Sequence, residues 1–206
     1  MKDPFLKVKY DKLVFELKFL EADLHYHNSI LEKGSAEFNT QCRAAIKERG
    51  LEEVFYGEKS PAEQHAKRQV QESKRRKKKP SSDTEKLFKK IASVTHPDKL
   101  VGLTDEESST KRELFVEAKD AKDDDNLLKL HLIAADLGVE IPEISLENLL
   151  LFENKISEMK SEINSKKSTW MWNWLIASPD KRSELIGDYV SFMIQTIAKD
   201  ASQNTE

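Results

Sequence analysis

The sequence predicts an all-α, elongated helical protein, and three observations support this prediction. The 206 residues include only six glycines and six prolines, which is few for an all-β chain with many tight turns. Apolar residues recur at spacings of three and four in several segments, which is the period of an amphipathic helix. The hydrophobic fraction is 38% and is spread along the chain, which favours extended helices over one compact globule.

Charge and composition exclude several classes of protein. The chain has 34 basic and 37 acidic residues, so nucleic-acid binding through an overall positive surface is not expected. Cys42 is the only cysteine, which rules out an intrachain disulfide and a cysteine-based zinc site. No apolar run approaches the roughly 20 residues of a membrane span, and the charged N-terminus has no signal-peptide core. We therefore expect a soluble, cytoplasmic protein with no membrane association, metal site or cofactor.

Residues 1–56 are predicted to form an N-terminal helical hairpin or coiled coil. The first helix is expected from Pro4 to Gly34, because proline suits a first turn and glycine a C-terminal cap. A shorter helix is expected from Ser35 to about Arg49, with Gly50 as its breaker. The first helix carries a heptad seam of Leu6, Tyr10, Leu13, Leu17, Leu20, Leu24, His27 and Leu31. It also carries a second apolar row, Phe15, Phe19, Ala22 and Tyr26, which indicates that the helix contacts more than one neighbour.

Residues 57–80 are predicted to form a polar, basic linker or a solvated helix. The segment has almost no apolar residues and ends in the basic run Lys74–Lys79. Such a run is compatible with a nucleic-acid contact, a nuclear-localisation signal or a solvated linker. The linker is favoured over nucleic-acid binding, because the chain offers no aromatic platform on which bases could stack.

Residues 81–139 are predicted to form three short helices that share a small core. Two sequences of the capping-box type open the first two helices. They are Ser82 with Glu85 and Thr104 with Glu107. Pro97 should end the first helix, and a loop should lead to the second. Asn126 can cap the third helix and Gly138 can close it.

Residues 140–206 are predicted to form C-terminal helices. After a break at Ile141-Pro142, Ser145 can cap a long helix with a second heptad seam of Leu149, Phe152, Ile156, Met159 and Ile163. The two heptad helices are candidates to pair antiparallel or to mediate self-association. A last helix should begin at Ser178. The tryptophans Trp170, Trp172 and Trp174 are expected to pack in a core, with an exposed partner-binding patch as the alternative.

The sequence His96-Pro97-Asp98 is the strongest motif. It directly follows an amphipathic helix and is followed by a loop and a second helix. This arrangement resembles the J domain of DnaJ-type co-chaperones, in which helices II and III form a hairpin with this tripeptide at its tip. The resemblance covers about Ser82–Leu137, roughly a quarter of the chain. It aligns Phe88 and Ile91 with helix II and Phe115 and Ala118 with the core of helix III.

The resemblance implies a partner and a set of contact residues. The partner would be a DnaK-type chaperone ATPase in its ATP-bound state, whose hydrolysis a J domain stimulates. The chain itself would catalyse nothing, and its other helices would select a client protein that the sequence does not identify. Proline fixes the backbone of the turn, which holds the side chains on either side of it out from the hairpin. The implied contact residues are His96, Pro97, Asp98, Lys86, Lys89, Lys90 and Lys99.

The chain departs from the family pattern in three places. The sequence KRRKKKPSS stands where helix I of a J domain is expected. The connection from His96 to Phe115 is a few residues longer than usual, and Lys122 replaces a usual aromatic of helix III. Two alternatives therefore stay open: a structural or assembly coiled-coil protein with a vestigial loop, or a nucleic-acid-associated protein that uses the basic run.

Overall fold

A computed structural model describes residues 4–56, 80–141 and 144–203. Within these ranges the regular structure is helical and no strand occurs, so the all-α prediction is confirmed. The α-helices are α1 (Pro4–Glu48), α2 (Glu52–Tyr56), α3 (Ser82–Thr95), α4 (Asp105–Asp123), α5 (Leu127–Asp136), α6 (Leu146–Lys167), α7 (Trp170–Ile176) and α8 (Pro179–Gln203). A 3₁₀ turn spans Pro97–Lys99. No helix in the described ranges is long and apolar enough to cross a membrane. The basic run Lys74–Lys79 and all but the last residue of the predicted linker lie outside these ranges.

The predicted N-terminal hairpin is wrong, because α1 continues without a break through Gly34. Gly34 is buried, and a Cβ built on it would lie 3.0 Å from Cγ of Leu175 and nearer still to both of its δ carbons. The missing side chain therefore lets Leu175 pack directly on the backbone of α1, and it does not mark a helix end. The chain turns instead at Gly50, whose φ of +67° fits the breaker expected there.

The described chain forms two compact units that differ from the predicted segments. The first contains residues 4–21, 80–141 and 144–158, and the second contains residues 22–56 and 159–203. The expected segments 1–56 and 140–206 are thus each divided between the units, because α1 and α6 contribute residues to both.

The first unit contains the small core expected of α3, α4 and α5. Ile91, Ala118 and Leu130 are fully enclosed at its centre. The other buried members are Leu87, Ala121, Ile133 and Ala134. Burial of a leucine or isoleucine side chain typically contributes about 1.5–3 kcal/mol to stability. This cluster therefore stabilises the three helices as one body.

The heptad seams are also buried in the first unit. The buried seam residues are Tyr10, Leu13, Leu17 and Leu20 of α1 and Leu149, Phe152 and Ile156 of α6. The rings of Tyr10 and Phe152 meet edge to face with centroids 5.5 Å apart, and Lys9 pairs with Glu153 at 2.7 Å. The coiled-coil arrangement of the two seams stays a prediction. The second apolar row is exposed instead of being covered by a further neighbour.

The second unit has its own core, in which the tryptophans take part. Trp174 is completely buried beside Phe38, at a ring-centroid distance of 5.5 Å. Trp172 stacks on His27, with centroids 4.5 Å apart. Trp170 is partly buried against this core, so the tryptophans pack as expected. Cys42 lies in the same cluster, and burial raises the pKa of its thiol to about 11.

Candidate functional site

Helix α3, which leads to the His-Pro-Asp loop, begins one residue earlier than its capping box predicted. Ser81 is the N-cap, and its hydroxyl accepts the N–H of Thr84 at 3.3 Å. The carboxylate of Asp125 accepts the N–H of Ser81 at 2.9 Å and the hydroxyl of Thr84 at 2.7 Å. The N-cap is therefore Ser81 and not Ser82, because Asp125 accepts one hydrogen bond from Ser81 and another from Thr84 in the first turn. This network ties the start of α3 to the turn between α4 and α5.

The loop after α3 is a short, well-defined turn. The helix ends at Thr95, as expected for the residues before a proline, and Pro97 opens the 3₁₀ turn. The carbonyl of His96 accepts the N–H of Lys99 at 2.8 Å, and Leu100 returns to the interior with an exposed fraction of 5%. Both ends of the turn are thus held by contacts, and the residues between them project outward.

His96 and Asp98 lie at the exposed tip of this turn. The side chain of Asp98 is 84% exposed and that of His96 is 48% exposed. The Nδ1 atom of His96 lies 3.4 Å from both the backbone nitrogen and a carboxylate oxygen of Asp98. The His96 ring meets Phe115 of α4 nearly perpendicularly, at a centroid distance of 5.5 Å. The tip is thus held against α4 by one ring contact, while its carboxylate points to solvent.

Lys122 stands at the position where the resemblance to J domains implies an aromatic residue. The Phe88 and Phe115 rings lie 6.2 Å apart between α3 and α4. The ammonium group of Lys122 lies 4.9 Å from the centre of the Phe88 ring, which is the geometry of a cation–π contact. The methylenes and charge of Lys122 therefore cover a face that an aromatic side chain would otherwise pack against.

The four lysines implied by the resemblance are all exposed, but they differ in their contacts. Lys86 pairs with Asp83 at 3.2 Å, and Lys90 donates to the carbonyl of Glu140 at 3.1 Å. Lys89 lies on the exposed side of α3, and Lys99 follows Asp98 in the turn. Lys86 thus contacts a carboxylate within α3, whereas Lys90 contacts a backbone carbonyl, which carries no full charge.

A cavity of about 120 Å³ with a mixed polar and apolar lining lies beside α3, and no local pattern in the sequence indicates it. It is lined by Asp83, Lys86, Leu87, Leu127, His131, Ile141, Ser145 and Asn148. His131 is 3% exposed, and its Nδ1 lies 3.1 Å from the hydroxyl of Tyr10. Burial lowers the pKa of His131 to about 4, although the nearby carboxylate of Asp83 acts in the other direction. The histidine is therefore a neutral structural group at physiological pH.

The acidic turn at residues 123–125 acts as a cap and connector. Asp125 has a φ of +53° and binds the start of α3, while Asn126 accepts the N–H of Lys129 at 3.0 Å and caps α5. Among the described residues no group of three or more histidine, cysteine or acidic side chains is placed to hold a metal ion.

Comparison of the chain with protein-family models, with curated protein sequences and with solved structures gave no match.

Proposed function

We propose that the chain is a J-domain-type co-chaperone, which stimulates ATP hydrolysis by a DnaK-type chaperone ATPase and directs that chaperone to a client protein. The observation that supports this most is the placement of His96-Pro97-Asp98. The tripeptide stands exposed between two helices that share a core, and its conformation is set by contacts within the chain.

The chemistry of the tip suits recognition of a basic site. Hydrogen bonds already hold the backbone of the turn, so binding through Asp98 orders little additional backbone, which favours affinity. Asp98 can form a charge-assisted hydrogen bond with an arginine of the ATPase. The exposed charge of Lys89 would guide encounter with an acidic surface, since rim charges act mainly on the association rate.

In this proposal the chain contributes binding and no bond-breaking step. Hydrolysis takes place on the nucleotide held by the chaperone, so the chain needs no cofactor. The remaining helices would bring the client, and the pair would work in the cytoplasm.

A structural or assembly role is the second candidate, and the buried heptad seams favour it. Tyr10, Leu13 and Leu17 lie in a packed interface whether or not the tip binds anything. In that case His96 and Asp98 would be exposed loop residues without a partner. A nucleic-acid role through Lys74–Lys79 is a third, weaker candidate, and the salt dependence of nucleic-acid retention with these lysines replaced by glutamine tests it.

Single-turnover hydrolysis separates the first two candidates. The DnaK-type chaperone of the same host is loaded with radiolabelled ATP, and the hydrolysis rate is measured with and without increasing amounts of the chain. A co-chaperone accelerates hydrolysis and reaches saturation. An unchanged rate with every DnaK-type chaperone of the host would rule out the co-chaperone candidate and leave the structural and nucleic-acid candidates.

A further inference from the structure

The first 20 residues of α1 carry an exposed apolar stripe opposite their buried seam. The stripe consists of the apolar residues Val8, Phe15 and Phe19 and of Lys12 between them, at spacings of four, three and four along the helix. Val8 is 69% exposed, Phe15 72% and Phe19 67%. Tyr10 and Leu17, on the other side of the same helix, are 4% and 0% exposed. Two phenylalanines at neighbouring positions on one open face are more than the scattered apolar residues of an ordinary surface.

The spacing of the stripe determines what kind of surface fits it. Side chains at alternating intervals of three and four form knobs that insert between the side chains of another helix with the same intervals. The stripe lies on such a helix, so it is complementary to itself. We propose that α1 pairs antiparallel with α1 of a second copy of this chain through Val8, Lys12, Phe15 and Phe19.

Charge complementarity selects the antiparallel direction. A parallel pair would place Lys12 directly against the second copy's Lys12, which is unfavourable. An antiparallel pair centred between Leu13 and Val14 places Lys12 over the second copy's Phe15, and Phe19 against the second copy's Val8. A lysine ammonium over an aromatic ring is attractive.

The flanking charges support the same register. Asp11 borders the stripe and would lie beside Lys18 of the second copy, with the equivalent pair across the two-fold axis. If Phe15 were instead placed opposite the second copy's Phe19, the two Lys18 side chains would meet. Lys18 already pairs with Asp136 in its own chain, so its contact with Asp11 would fix the register more than the affinity.

The available area indicates a dimer that depends on concentration. An aromatic side chain can bury about 150–250 Å², so the four phenylalanines of two copies would supply at most about 600–1,000 Å². Val8 and the methylenes of Lys12 bring the total towards the lower limit of about 1,200 Å² for stable interfaces. The pair should therefore form and separate reversibly.

Sedimentation equilibrium over a range of concentrations tests the interface. The wild type should fit a monomer–dimer equilibrium, and Phe15→Lys or Phe19→Lys should raise the dimer Kd by roughly tenfold or more. Val101→Lys is the matched control, because Val101 is 90% exposed in the same unit but outside α1, and it should leave the Kd unchanged. A wild type that stays monomeric at every concentration, or a Phe15→Lys chain that dimerises like the control, overturns the proposal. Thermal melting confirms that each variant is folded.

Disulfide trapping tests the direction of the pair. Chains with Lys12→Cys and chains with Phe15→Cys are oxidised separately and as a mixture. The antiparallel register predicts efficient cross-linking in the mixture, whereas cross-linking of Lys12→Cys chains to each other overturns it. Cys42 is buried with a raised thiol pKa, so Cys42→Ala in every chain serves only to remove background. The outcome does not depend on ATPase stimulation, so either proposal can fail alone.

Discussion

Replacement of Gly34 by alanine sets two effects against each other in the middle of α1. Alanine is favoured over glycine inside a helix by about 1 kcal/mol. The new Cβ would, however, overlap the Leu175 side chain, whose Cγ lies 3.0 Å from its position, and overpacking of this kind typically costs about 1–3 kcal/mol. The overlap involves the branched carbon and both δ carbons, so Leu175 cannot avoid it by turning one terminal methyl. We therefore expect Gly34→Ala to lower the free energy of unfolding by up to about 2 kcal/mol.

A double-mutant cycle measured by urea denaturation isolates the contact. In a Leu175→Ala background the overlap is gone, so Gly34→Ala should raise the free energy of unfolding by about 1 kcal/mol. Gly187→Ala is the matched control, because a Cβ there meets only the guanidinium end of Arg49, which can move. If Gly34→Ala stabilises the wild type as the control does, the packing of Leu175 on α1 is wrong. If it destabilises both backgrounds equally, Gly34 has a positive φ and the hairpin expected from the sequence is right.

Three further predictions follow from burial and charge in the first unit. His131 has a pKa of about 4 in the folded chain and about 6.5 in the unfolded chain, so the unfolded chain binds the proton first as pH falls. The free energy of unfolding should therefore drop by up to about 3 kcal/mol between pH 7 and 4. His131→Gln should reduce this pH dependence when unfolding by urea is measured across the same range. An equal pH dependence in that variant would contradict the assignment. Leu17→Ala and Ile156→Ala should each lower stability by about 2–5 kcal/mol, and unchanged melting temperatures would refute the packing of the seams. Lys89→Ala should slow association with the ATPase in stopped-flow measurements at low salt, with the difference vanishing at high salt; a salt-independent loss would mean that Lys89 locks the complex.

Local signals in the sequence predicted the features that local interactions decide. The Thr104–Glu107 capping box is present in both directions, with the backbone N–H of Thr104 donating to Glu107 at 3.1 Å. Pro97 ends α3 and Asn126 caps α5, because each acts within a few residues of its own position. The exposed tip of the His-Pro-Asp turn could be expected for the same reason.

Distant partners decided the features that the sequence did not reveal. Ser81 is preferred over Ser82 as the cap because Asp125 binds it, and the helix passes through Gly34 because Leu175 packs there. The same holds for His131, whose partner Tyr10 is 121 positions away. No spacing rule connects such pairs, so the division of α1 between two units could not be predicted either.

The most direct test of the co-chaperone account compares two exposed aspartates in the single-turnover assay. Asp98→Asn removes a charge from the tip, and Asp120→Asn removes one from the exposed side of α4 in the same unit. Neither side chain is buried, so both variants should keep their free energy of unfolding within about 0.5 kcal/mol of the wild type. Loss of a buried charge partner typically costs about 2–5 kcal/mol of binding, so Asp98→Asn should weaken stimulation of ATP hydrolysis by tenfold or much more. Asp120→Asn leaves His96 and Asp98 intact, so the account predicts that this variant stimulates ATP hydrolysis as well as the wild type. Full stimulation by a folded Asp98→Asn chain would contradict it.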